Sequence, residues 1–238
     1  MTLALETKVG DLVLALPQAM RYLETQGIDY CCGGHRTLRE ACAAAGRAPE
    51  VILTGLTALE APAPGTTSPQ AWLEASLTAL MDHIERSHHA YLRAELPRLD
   101  ALLQKVLLAH ADNHPELHEV AAHFQELSAD LIPHLMKEEQ ILFPYLRQLE
   151  ARESGEACFG TVQSPIRVME AEHEVVGGLL TRLREQTRGY TTPADGCATY
   201  QALCAGLQEL EADTHLHIFL ENQLLHPRAV ALEAAGRR

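Results

Sequence analysis

The chain has 238 residues, enough for one large domain or a domain with a small module, and in either case enough to bury a real core. Its 19 basic and 32 acidic residues leave a net charge of -13, which repels phosphate backbones and anionic bilayers and argues against nucleic-acid and membrane partners. With 47% hydrophobic but only 5% aromatic residues, and with Leu, Ala and Glu abundant, the composition points to an all-α protein.

The opening residues, MTLALETKVGD, lack a basic flank, a long apolar stretch and a small-residue cleavage site, so a cytoplasmic location is expected. Six cysteines without regular spacing (Cys31, Cys32, Cys42, Cys158, Cys197, Cys204) are expected as reduced thiols. Of 13 histidines, 12 fall between His83 and His226, an asymmetry that suggests two modules.

Residues 9–26 read as a short helical region in which Pro17 opens a second helix and Gly27 supplies the stop. The turn IDYCCGGH follows, then a helix capped by Thr37 and ended by Gly46, then a helix over 49–59. Residues 1–60 therefore form a small three-helix N-terminal domain. Residues 61–69, with three prolines, one glycine and no charge, read as a linker, with Ser68 and Pro69 as cap and first residue of the next helix.

Four long helical segments then follow, at about 69–112, 115–149, 165–188 and 193–226. Short joints at His114-Pro115, at Ser164-Pro165 and at Gly189 with Pro193 separate them, which predicts an up-down-up-down four-helix bundle over residues 70–230. Pro97, inside the first segment, is expected to bend that helix rather than end it.

Each segment carries a core stripe stepping by threes and fours. The second reads Val120, Phe124, Leu127, Leu131, His134, Glu138, Ile141, Tyr145, and the third Ile166, Met169, His173, Val176, Leu180, Leu183. The fourth reads Leu203, Leu207, Leu210, Thr214, His217, Glu221, Leu224, and the first His89, Leu92, Leu96, Leu99, Leu103, Val106, His110. Upstream, Leu77, Leu80, Met81 and Ile84 lead instead to His88, so periodicity leaves His88 and His89 both open.

Ionisable groups in the middle of an apolar stripe cost several kcal/mol each unless they find partners or a metal. Here each helix brings one histidine, and His134 and His217 each have a glutamate four residues on, on the same helix face. Imidazole with carboxylate suits iron, manganese or zinc, and Glu138 and Glu221 can each bridge two cations. A rival template of Glu-x-x-His pairs fits Glu170 with His173 and Glu85 with His88, but it leaves His134 and His217 buried without a role. His110 lies about six turns from His89 and reads as a core residue. His83, His114, His118, His123, His215 and His226 read as surface or supporting groups. Cys31 and Cys32 sit just before the Thr37 helix, where backbone amides can lower a thiol pKa.

The motifs DYCCGG (29–34), ELP (95–97), HLMKEEQILFP (134–144), MEAEHE (169–174) and HIFLENQLLHP (217–227) span nearly the whole chain. In this order they resemble the iron-sulfur cluster repair di-iron proteins, a hemerythrin-like family with an ScdA-type N-terminal module. The resemblance implies His89, His134, Glu138, His173, His217 and Glu221 as metal ligands, which selects His89 over His88. It implies two non-haem iron ions with a bridging oxo or hydroxo group, and a redox or iron-transfer role for Cys31 and Cys32. The function implied is repair of clusters damaged by oxidative or nitrosative stress through iron donation. The alternatives are reduction of nitric oxide to nitrous oxide, and sensing or carriage of a diatomic ligand without turnover. Expected partners are damaged iron-sulfur proteins and small diatomic ligands such as nitric oxide or dioxygen, and a homodimer is compatible. In one departure, where the family commonly reads LFP after the last carboxylate, this chain has Leu225-His226-Pro227. His226, five residues past Glu221, is expected to alter local polarity rather than to ligate.

Overall fold

The computed structural model describes residues 3–59, 69–152 and 159–236. The expected linker, save Pro69, and Cys158 lie outside the described residues. Four short helices come first, where the sequence reading had a three-helix domain: α1 (Val9–Ala15), α2 (Ala19–Gln26), α3 (Leu38–Ala44) and α4 (Pro49–Thr57). Pro17 separates α1 from α2, and Gly27 takes the left-handed conformation (φ 68°) that closes α2. Thr37 and Glu40 form a reciprocal capping box at the start of α3.

Four rods follow, running up-down-up-down. The first is α5 (Leu77–Ile84), a π turn (Glu85–His89) and α6 (Ala90–His110). The second is α7 (Leu117–Lys137), a π turn (Glu138–Leu142) and α8 (Phe143–Glu150). The third is α9 (Gln163–Gln186), and the fourth is α10 (Ala198–Leu220), a π turn (Glu221–Leu225) and α11 (His226–Gly236). α6 packs against α7 and α10, and α9 packs against the same two. α6 runs through Pro97 unbroken.

Two boundaries differ most from the sequence reading. The first rod starts at Leu77, capped by Ser76, after a separate 3-10 turn at Pro69–Trp72. The fourth continues to Gly236 instead of stopping near Pro227. Pro144 and Pro227 each fall two residues after a π turn. A π turn already interrupts the regular α ladder, so a residue with no N–H is accommodated there.

The π turns also explain two anomalies in the apolar stripes. A π turn holds one extra residue, so Ile84 is followed on the same face by His89, five positions on. That insertion is why the upstream phase pointed at His88. The turn after Glu138 likewise moves the stripe from Ile141, which is 51% exposed, to the buried Leu142, a correction to the expected seam. Tyr145 and His110 are half-buried, and the other stripe residues are buried.

The buried side chains form two apolar clusters. One joins α1–α4 to the part of the bundle around Leu92, Leu131, Val176 and Leu207; the other gathers Leu80, Phe143, Met169 and Leu225. The chemistry-bearing histidines and glutamates lie between the two. Among the described residues no helix is long and apolar enough to cross a membrane.

Candidate metal centre

His89, His134, Glu138, His173, His217 and Glu221 meet at one level of the bundle, none more than 1% exposed. They fall into two groups, His89 with His217 and His134 with His173, both sharing Glu138 and Glu221; within each group the donor atoms lie within 4.8 Å of one another. Glu138 sits 3.2 Å from His134 Nε2 through one oxygen and 3.3 Å from His89 Nε2 through the other. Glu221 does the same for His173 and His217, each at 3.1 Å. Each carboxylate thus spans both groups.

Three of the four rings are aimed by partners on their outer nitrogens, while Nδ1 of His217 meets none among the described residues. Nδ1 of His89 donates to Glu139 at 2.8 Å, and Arg93 holds that carboxylate at 2.7 Å. Nδ1 of His134 donates to Glu172 at 2.9 Å, itself paired with Lys137. Nδ1 of His173 meets Oδ1 of Asn222 at 3.0 Å. A carboxylate or amide oxygen only accepts, so Nδ1 carries the proton and the Nε2 lone pair faces inward. These partners escaped the sequence reading, although each lies one residue from a stripe carboxylate or histidine: Glu139 after Glu138, Glu172 before His173, Asn222 after Glu221.

The donor set fits divalent cations. Nε2 of His89 faces Nε2 of His217 at 3.2 Å, and Nε2 of His173 faces that of His134 at 3.1 Å. Facing lone pairs beside two buried carboxylates require positive charge between them. Without metal that charge is protons. Burial, the largest single influence, would lower His134, but Glu138 together with Glu221 and Glu172 outweighs it and holds the ring up at about 9. His89 is raised on the same balance, Glu138 again opposing burial. His217 goes the other way, burial pushing it down. Burial and the neighbouring Glu221 would raise Glu138, yet His134 and His89 hold it well below the usual carboxylate range.

The rival template fails. Glu170 is exposed, Glu85 pairs with Arg147 at 3.2 Å, and His88 turns Nδ1 to Asp213 at 2.9 Å. His88 instead lies parallel to His217, ring centroids 5.6 Å apart. His226 is buried, lies parallel to His173 at 6.1 Å, and burial pushes its pKa down to about 4. His110 bonds Cys197 Sγ at 3.3 Å.

Cys31 and Cys32 lie outside the six-residue cluster but against the bundle. Asp29 accepts the amides of Cys31 and Cys32 at 3.0 Å each and that of Gly33 at 2.8 Å, which fixes the turn. A side chain at Gly34 would meet Gln223 at 2.6 Å, so the glycine permits the small domain to seat. Gln223 and Asn222 both donate to the Cys31 carbonyl at 3.4 Å. The two sulfurs are 3.8 Å apart, and Asp29, Cys31 and Cys32 form a third group that could hold a metal ion. The lowered thiol expected from nearby amides is reversed for Cys31: Asp29 takes those amides, and the Cys32 thiol, burial and the Asp29 carboxylate raise it. The pair lines a cleft of about 1250 Å³ between the small domain and the bundle, reaching Gly177 of α9 and His215 of α10.

A helical bundle with a buried histidine and carboxylate cluster that could hold two cations has the architecture of non-haem dimetal proteins. Residues 80–229 match the family model of the hemerythrin HHE cation binding domain, and residues 5–60 match that of ScdA_N, a domain of unknown function. The chain is 38% identical over 226 residues to the iron-sulfur cluster repair protein YtfE of Escherichia coli O157:H7, covering 94% of this chain and 97% of that protein. It is 37% identical to the protein of the same name from Enterobacter sp. (strain 638), over the same shares, and 35% identical to that of Musicola paradisiaca (strain Ech703), over 96% and 98%. The chain belongs to the hemerythrin-like iron-sulfur cluster repair family. That membership implies iron at the two positions.

Proposed function

We propose that this protein repairs iron-sulfur clusters damaged by oxidative or nitrosative stress, by donating iron held in the six-residue cluster. His89 and His217 would hold one iron, His134 and His173 the other, with Glu138 and Glu221 spanning both. When bound, the irons supply redox-active Lewis-acid positions with coordination to spare, since each group offers four protein donors. The oxygen bridge expected from the resemblance belongs to the same reading.

The observation that carries the proposal is the link from this cluster to the cysteine pair. His173 meets Asn222, Asn222 meets the Cys31 carbonyl, and Asp29, Cys31 and Cys32 gather at a cleft open to a partner. In this reading the thiols take iron as cargo on its way to the damaged cluster. A proton returned to His89 or His134 weakens the hold on the metal, which gives release a chemical trigger. The names of the relatives support the repair activity. The cysteines, unpaired among the described residues, support a reducing cytoplasm.

The test is direct. Metal analysis should find two irons per chain with a near-ultraviolet oxo-to-iron band. Iron-loaded protein should restore a nitrosylated iron-sulfur enzyme, and the Cys31→Ser, Cys32→Ser double variant should restore it poorly. No restoration by the parent protein overturns the proposal. A second reading, conversion of two nitric oxide molecules, two protons and two electrons to nitrous oxide and water, is favoured by the spare coordination at both positions. Nitrous oxide formed anaerobically with a reductant would select it.

A further inference from the structure

The metal centre is built twice from one pattern. HLMKEEQILFP (134–144) and HIFLENQLLHP (217–227) align residue for residue: His134 with His217, Glu138 with Glu221, Pro144 with Pro227. Each has a π turn starting at the glutamate, which brings the residue five positions on back to the same helix face. In the first copy that residue is Phe143, parallel to the ring of His89 with centroids 5.8 Å apart. In the second it is His226, parallel to the ring of His173 at 6.1 Å. The two copies therefore cover equivalent histidines with different chemistry, a hydrocarbon ring at one and an imidazole at the other.

His226 is 1% exposed, and neither of its nitrogens meets a hydrogen-bonding group among the described residues. A buried polar group without a partner costs roughly 1–3 kcal/mol, so an imidazole in place of a phenyl ring is unfavourable unless something bonds to it. Its ring lies parallel to that of His173, and the π turn sets it one turn beyond Glu221; both residues are donors of the His134–His173 position. It joins neither of the groups whose donor atoms lie within 4.8 Å of one another, so it stands too far back to complete the coordination. Both of its nitrogens are therefore free to bond a group that the protein itself does not supply beside that position. His88, the other extra histidine, lies parallel to His217 and is already anchored through Nδ1 to Asp213.

We propose that His226 is a ligand-binding residue: its imidazole N–H holds a small anionic or diatomic ligand at the His134–His173 metal position by a hydrogen bond. The two positions are thereby unequal, with the ligand taken beside His226 and not beside Phe143. This rests on the di-iron reading above.

Azide is the probe, added to iron-loaded wild type, His226→Phe and His226→Gln after the iron content of each has been measured. All three are expected to hold two irons per chain. In wild type the azide stretching band should shift on transfer to D2O, reporting an N–H donor. His226→Phe, which copies the Phe143 side, should bind azide about tenfold more weakly and show no D2O shift, the loss of one hydrogen bond. His226→Gln, which keeps an N–H, should recover part of the affinity. Equal azide affinity in wild type and His226→Phe, or a D2O shift that survives in His226→Phe, overturns this inference and leaves the di-iron reading standing. Fewer than two irons in wild type overturns both. Should His226→Phe fail to fold, the wild-type band decides, because no shift in D2O means no N–H donor.

Discussion

The side-chain amide of Asn222 donates to the backbone carbonyl of Cys31 at 3.4 Å. Its oxygen meets Nδ1 of His173 at 3.0 Å, so one side chain ties the small domain to a ring of the metal centre. Asn222→Leu keeps the volume and removes both bonds. Because groups that orient metal-ligating histidines are typically worth 10–100-fold in metal affinity, iron should be lost to a chelator roughly 10–100 times faster in the variant. Cys31 should also be alkylated faster as the domain contact loosens. An unchanged chelation rate would show that Asn222 orients nothing.

Without metal, the six-residue cluster holds protons where the proposed irons would sit, and this sets its pH dependence. His134 stands at about 9 against an ordinary 6.5, so its contribution to stability is full below 6.5 and is lost as the pH rises through about 9. Glu138 is held below its ordinary 4.5, so its contribution is present above 4.5 and is lost as the pH falls through its folded value. Thermal melts of the metal-free protein should therefore peak between these limits and decline on both sides. Metal ligation needs a neutral imidazole, so loading at pH 7 must displace a proton from His134. Apparent iron affinity should rise about tenfold per pH unit for each proton displaced, up to about pH 9. Calorimetric titrations in buffers of different ionisation enthalpy count those protons, and a flat profile from 6.5 to 9 would refute the link.

His88 and His89 are neighbours with opposite assignments. His89 Nε2 is 3.2 Å from His217 Nε2, whereas His88 points Nδ1 at Asp213. His89→Ala should leave about one iron per chain, since one position loses a histidine while the other keeps its four donors. His88→Ala should keep both irons and lower stability by about 1 kcal/mol, the worth of its hydrogen bond. Iron analysis and a thermal melt of the two variants separate these outcomes.

The bundle and its stripe were legible because burial imposes a repeat that sequence records directly. Leu127, Leu131, His134 and Glu138 step by threes and fours, and all four are buried at the same seam. What periodicity could not carry was the break in its own rule. A π turn leaves no compositional mark in ERSHH, so the one-residue slip between Ile84 and His89 looked like two competing phases. The same slip put Ile141 on the wrong face. The outer partners Glu139, Glu172 and Asn222 were missed because a polar residue at a helix surface is the default, and only the folded geometry shows which of them reach across to another helix. The cysteine pair misled in a different way. Proximity to free amides suggested an acidic thiol, but Asp29 two residues earlier captures those amides, and its charge acts in the opposite direction.

Among the described cysteines, the thiol with the lowered pKa is Cys197. It is exposed at the N-cap of α10, and its sulfur lies 3.3 Å from His110 Nε2. The bond from His110, with help from the backbone amides of Tyr200 and Thr199, pushes it down to about 7 from an ordinary 9.0. About half of it is therefore thiolate at neutral pH, against about 1% for an unperturbed thiol. Iodoacetamide alkylation followed by peptide mapping should show Cys197 modified with a midpoint near pH 7, while Cys42 and Cys204, both raised by burial, react slowly. His110→Ala removes the largest contribution and should move the midpoint upward without changing the iron content. A midpoint that stays near 7 in that variant would place the whole effect on the helix amides, and one near 9 in the parent would mean that the thiol and the imidazole do not meet.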